Sequence, residues 1–132
     1  MIASLDTKCL LRWLLGDIPE QTEIITGLLD SPQSFTVADA AIIETIFVLE
    51  KVKKISRPAI TQAVSAIIAQ GNIKCSRAIF SETMLLYAAH PKLSAVDCYL
   101  SIVARQTGAM PLLTFDEKLA NQAPGTKLLT RK

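Results

Sequence analysis

Apolar positions recur along most of this chain at helical spacing, and short extended-looking stretches separate the helical runs. Ile2-Ala3-Ser4-Leu5 reads as a short strand ending at Asp6. Leu10, Leu11, Leu14 and Leu15 then fall three and four apart, the spacing of one helix face, and Gly16 can close that helix in the left-handed conformation. Asp17 is placed to cap a second helix that carries Pro19 in its first turn and Ile24, Ile25, Leu28 and Leu29 as its stripe. Ser31-Pro32 breaks the pattern, and Ser34-Phe35-Thr36-Val37 resembles a second strand. A long helix from about Asp39 to Lys53 follows, then another opened by Ser56 and Pro58 and closed by Gly71.

Ile73-Lys74-Cys75 is a weak strand signal. Phe80, Thr83, Met84 and Tyr87 mark a further helix that His90-Pro91 ends, and Ser94 caps one from about Ala95 to Gln106. Pro111-Leu112-Leu113-Thr114 reads as a strand, Glu117 to Ala120 as a short helix, and Lys127-Leu128-Leu129 as a final strand. Short strands alternating with longer helices predict an α/β fold with a mainly parallel sheet. With no linker-like break and no internal repeat, residues 1–132 are expected to form a single domain.

Composition narrows the class. Half of the 132 residues are apolar, and Gly and Pro are few, which argues against disorder and low complexity. Fourteen basic and twelve acidic residues leave a net charge of only +2, so bulk charge announces no nucleic-acid partner, though a local patch needs few residues. Cys9, Cys75 and Cys98 lack zinc-type spacing, and His90 is the sole histidine; three reduced thiols fit better than a disulfide framework or a zinc site. The opening residues do not read as a secretion signal, and the most tempting apolar stretch, Ala38 to Leu49, is interrupted by Asp39 and Glu44. A cytoplasmic protein with no membrane partner is expected.

The chemistry lies in four carboxylates. Asp6 and Asp116 each follow a strand, where parallel sheets gather their ligands, and Asp97 stands in the first turn of a helix, where the dipole favours an anion. Ser94-x-x-Asp97 also resembles a capping box, so a purely structural role is open there. Glu44 is embedded in Ile42-Ile43-Glu44-Thr45-Ile46, with Ala40, Ala41, Val48 and Lys51 as wheel neighbours; pairing with Lys51 is its bland alternative. Brought together, four carboxylates would repel and raise their pKa values unless a cation neutralised them, and hard oxygen ligands suit Mg²⁺ or Mn²⁺.

Leu5-Asp6-Thr7, Ala41-Ile42-Ile43-Glu44, Leu93-Ser94-Ala95-Val96-Asp97 and Leu113-Thr114-Phe115-Asp116 resemble, in order and spacing, the four acidic motifs of PIN domains. The compact size is similar to that of the VapC ribonuclease toxins of toxin–antitoxin pairs. This resemblance implies a PIN-like three-layer sandwich, a short parallel central sheet flanked by helices. It also implies metal-dependent hydrolysis of RNA to 3′-hydroxyl and 5′-phosphate ends, with Asp6, Glu44, Asp97 and Asp116 holding Mg²⁺ or Mn²⁺. A cognate antitoxin, and a homodimer, are the implied partners. Thr7, Ser94 and Thr114 are candidates for orienting the carboxylates. Lys8, Arg12, Lys92, Arg105 and Lys118 are candidates for contacting the RNA backbone.

One departure is visible. Lys8 stands where many relatives carry Asn, which removes an amide near the metal and leaves all four carboxylates. A dehalogenase-type phosphatase would need a second Asp at position 8, and a receiver domain would need an adjacent acidic pair after the first strand; neither is present. A PIN-type nuclease of RNA processing, or a PIN module that binds without cutting, is the alternative to a toxin.

Overall fold

The structure, a computed structural model, describes residues 2–130. The chain forms two compact units, Met1–Arg77 and Ala78–Lys132.

The first unit runs β1 (Ile2–Ser4), α1 (Thr7–Leu15), α2 (Pro19–Leu29), β2 (Ser34–Thr36), α3 (Asp39–Phe47), α4 (Arg57–Ala69) and β3 (Ile73–Lys74). Its three strands lie parallel in the order β1-β2-β3, with Ala3 opposite Phe35 and Phe35 opposite Ile73. Helices span each crossover, as parallel pairing demands. The central strand points Phe35 into the core, where Leu10, Ile42, Ile46, Ile60, Val64 and Ile67 are also buried. Ile60, Val64 and Ile67 are four and three apart, so one face of α4 supplies all three. Asn72 ties the approach to β3 to the loop before β2: its amide donates to the carbonyls of Leu29, Ser31 and Gln33 at 3.0, 3.2 and 2.9 Å.

Gly16 ends α1 as its sequence promised, at φ 62° with its N–H on the Arg12 carbonyl. Two expectations need correction. Pro19 is the first helical residue of α2, so the cap position falls to Ile18, which has no side-chain acceptor. Asp17 lies one residue too early to cap and instead pairs with Arg12 at 3.4 Å. The helix expected to run to Lys53 also changes pitch. After Phe47 the chain makes a wide π-type turn, Val48–Val52, with the Lys53 N–H on the Val48 carbonyl, and Lys54 then turns left-handed at φ 57°. Leu49 stays buried in this turn while Glu50 pairs with Lys51 and Arg57.

The second unit contains α5 (Arg77–Ala89), whose first residue belongs to the first unit, then α6 (Ala95–Gln106), β4 (Leu112–Thr114), α7 (Glu117–Gln122) and β5 (Thr126–Leu128). Strands β4 and β5 pair in parallel, Leu112 opposite Thr126 and Thr114 opposite Leu128. Phe80 of α5 stacks on Tyr99 of α6 with ring centroids 5.5 Å apart. Phe80, Tyr87, Leu93, Cys98 and Ile102 are buried. The expected α/β architecture of short parallel strands and flanking helices is therefore present, its strands divided between two small sheets. Among the described residues no helix is long and apolar enough to cross a membrane.

Candidate active site

In the first unit, β1 ends and α1 begins around a single carboxylate. Asp6 is extended (φ −93°, ψ 179°), and its Oδ1 accepts the Cys9 N–H at 3.0 Å, which caps α1. That hydrogen bond stabilises the charged form and holds the Asp6 carboxyl below its ordinary pKa, with the nearby Lys8 adding a smaller push in the same direction. The mutual repulsion expected from clustered acids does not govern Asp6. Burial meanwhile pushes the Cys9 thiol upward, so it stays a neutral wall beside the acid.

The next residue makes the long-range connection. Thr7 Oγ1 donates to Glu44 Oε1 at 2.5 Å, across 37 positions of sequence. Glu44 therefore does not depend on Lys51, which pairs with Glu50 instead. Ala40 and Ala41 precede Glu44 on α3, and their small side chains leave the carboxylate exposed rather than walled in. The first two acidic motifs thus meet through one hydroxyl.

Between α1 and α2, beside Asp6, lies a cavity of about 320 Å³. Two candidate RNA contacts, Lys8 and Arg12, line it together with Cys9, Gln21, Ile24 and Leu28. Arg12 is held rather than free: its Nε donates to Gln21 Oε1 at 2.9 Å, and its Nη1 faces both Asp17 oxygens at 3.4 Å. Helical spacing in the sequence gave Ile24 and Leu28 as part of an apolar stripe, and it gave no reason to select Gln21.

In the second unit both acids are fixed by their own neighbourhoods. Ser94 Oγ accepts the Asp97 N–H at 3.1 Å, so Ser94 caps α6 and sets Asp97 in its first turn. Asp116 caps α7: its Oδ1 accepts the N–H groups of Lys118 and Leu119 at 2.9 and 3.3 Å. Thr114 Oγ1 accepts the Asp116 N–H at 2.9 Å, so it orders the backbone of the acid and leaves the carboxylate to the helix end. Of the remaining basic candidates, Arg105 pairs with Glu82 at 3.8 Å, Lys92 is exposed between α5 and α6, and Lys118 is exposed in the first turn of α7. His90 follows α5, with Nδ1 3.3 Å from Gln122 Oε1, as befits a helix-end residue.

A protein-family model described as PIN domain matches residues 3–123, a span that takes in most of both units. The chain belongs to the PIN-domain family. Among curated proteins none matches it significantly. PIN domains are generally metal-dependent nucleases, and the donor chemistry here fits: every candidate ligand is a carboxylate, the hard oxygen donor that Mg²⁺ and Mn²⁺ take. Among the described residues no group of three or more His, Cys, Asp or Glu side chains stands ready to hold a metal ion. Within the PIN fold, then, the first unit offers Asp6 and Glu44 as a joined pair, and the second offers Asp97 and Asp116 at two helix starts.

Proposed function

We propose that this PIN domain is an endoribonuclease in which Asp6, Glu44, Asp97 and Asp116 hold Mg²⁺ or Mn²⁺. The observation that carries the reading is Glu44. Glu44 stands exposed on α3 after Ala40 and Ala41, and Thr7 fixes it to the turn that begins at Asp6. When bound, the metal supplies an activated water and neutralises charge on the phosphoryl oxygens. The chain's own work is to aim the ligands. The Cys9 N–H orients Asp6, Thr7 does the same for Glu44, and Ser94 sets Asp97 in the first turn of α6. Lys8, Arg12, Lys92, Arg105 and Lys118 are the cations proposed to meet the RNA backbone and offset the acids.

Within that reading the protein is a cytoplasmic VapC-like toxin whose cognate antitoxin restrains it, and it forms a homodimer. Exposed apolar side chains support a protein partner: Ile24 and Leu28 on α2, Phe47 at the end of α3, and Val52 in the π-type turn. An amphipathic antitoxin helix laid on such side chains would bury them. The test has two arms. Purified protein cuts RNA with Mg²⁺ or Mn²⁺ and stops with EDTA; full cleavage by the Asp6→Asn, Asp97→Asn double variant overturns the nuclease. Co-expression with the adjacent upstream reading frame yields an inactive complex; a harmless monomer indifferent to that product overturns the toxin role alone.

A further inference from the structure

The cavity between α1 and α2 has Asp6 as part of its wall. Its chemistry is divided. Ile24 is 65% exposed and Leu28 lies beside it one turn on, an apolar surface. Facing this surface is the Arg12–Gln21 pair. Arginine has only donors, so the Gln21 amide must turn its oxygen toward Arg12 Nε and its NH₂ away. Asp17 neutralises Arg12 from the other side, and the Arg12 side chain is only 22% exposed, so the guanidinium plane is set before anything binds. The polar edge of the cavity therefore offers N–H donors, and its broad face offers hydrocarbon.

We propose that this cavity binds the nucleobase of a nucleotide adjoining the cleaved bond, with Gln21 and Arg12 reading its edge and Ile24 and Leu28 packing on its face. The inference rests on the nuclease reading. If an RNA phosphate is cut at Asp6, a neighbouring nucleotide must lie beside Asp6, and the cavity is there. Lys8, exposed at the rim, is placed for the adjoining phosphate. With Asp6 given to the ion in the nuclease reading, the edge left by Gln21 and Arg12 offers donors alone and selects bases that present acceptors. Guanine offers N7 and O6, whereas adenine pairs its N7 with an amino donor and cytosine presents one as well. Guanine is therefore the favoured base, uracil is tolerated through its carbonyl oxygens, and adenine and cytosine are disfavoured.

The experiment uses the whole protein and a short RNA whose cleaved bond has been mapped, with each flanking nucleotide varied in turn. At one flank, guanine to adenine is expected to slow single-turnover cleavage about tenfold, and an abasic nucleotide to slow it at least as much. Gln21→Leu and Ile24→Asp, both at exposed positions, should erase the base preference, so that each variant cuts guanine and adenine RNA at equal rates. A preference that survives both variants overturns the proposal. So does loss of antitoxin binding by the two variants with base preference intact, which would assign the cavity to a protein side chain. A second readout needs no chemistry: a fluorescent guanine analogue at that flank, bound by the Asp97→Asn protein with Mn²⁺, should change its emission, and Gln21→Leu should abolish the change. An unchanged signal overturns the cavity, whereas a normal signal with no cleavage by wild type would strike the nuclease reading alone.

Discussion

The first unit holds one of its two acids across its own packing, whereas the second holds both locally. In the first, Glu44 is positioned by a hydroxyl 37 residues away, so its place depends on the packing of α1 against α3. In the second, Asp97 and Asp116 sit at helix starts and are positioned by residues two or three away. A locally held acid keeps its orientation as long as its own helix forms. An acid held across the fold keeps it only when two helices dock correctly. The first arrangement couples the proposed chemistry to tertiary structure, and the second couples it to helix capping.

The largest test of this contrast is to remove one charge from each unit. Asp6→Asn and Asp97→Asn should each lower metal-dependent RNA cleavage by about a hundredfold or more, since each deletes a ligand of an ion worth several kcal/mol to the transition state. Asparagine accepts hydrogen bonds as a cap does, so circular dichroism and the melting temperature of Asp6→Asn should stay close to wild type. If only one unit's variant loses activity, the four acids do not serve one reaction.

Next in size is the hydroxyl itself. Thr7→Val keeps the shape and removes the donor to Glu44, which should weaken Mn²⁺ binding by about ten- to a hundredfold with little change in fold. Thr7→Ser should restore it. Measuring cleavage against Mn²⁺ concentration separates this from a structural defect, because saturating metal should recover most of the Thr7→Val activity. The counterpart in the second unit is Ser94→Ala, which should cost about 1 kcal/mol of stability through the lost cap of α6. Its effect on Mn²⁺ binding should be smaller than that of Thr7→Val. The reverse order would mean that capping, not cross-helix contact, sets the ligands.

The same contrast explains what could be read from the sequence. Ser94, three residues before Asp97, and Asp116, just after an apolar strand, are local signals, and both acids stand where those signals put them. Asp6 was legible for the same reason. The partner of Glu44 was not: a helical wheel shows only neighbours on one helix, so it offered Lys51, whereas Thr7 on another helix makes the bond. Asp17 misled through a one-residue shift, because Pro19 rather than the acid decides where α2 starts. The π-type turn after Phe47 left no mark in the apolar spacing, since Leu49 is buried under either pitch. The cavity was invisible because its walls come from two helices, and spacing along α2 marks Ile24 and Leu28 as apolar without showing that Arg12 and Gln21 face them.

The smallest effect belongs to Asp6 and concerns pH. Its folded pKa lies below the ordinary carboxylate value because the Cys9 N–H stabilises the charge. A depressed carboxylate contributes stability that is fully present above its unfolded pKa of about 3.9. That contribution is lost as pH falls through the lower folded value. The unfolded chain binds the proton first, so stability should decline as the solution is acidified below about pH 4. Because Asp6 is exposed to solvent, the contribution is modest and should shrink further in high salt. Asp6→Asn cannot titrate, so its melting temperature should fall less than that of wild type between pH 5 and pH 3 without metal. A steeper fall for the variant would show that the Cys9 hydrogen bond does not set the charge of Asp6. A melting temperature of wild type that drops on raising the pH from 4 to 6 would mean that repulsion among the acids outweighs it.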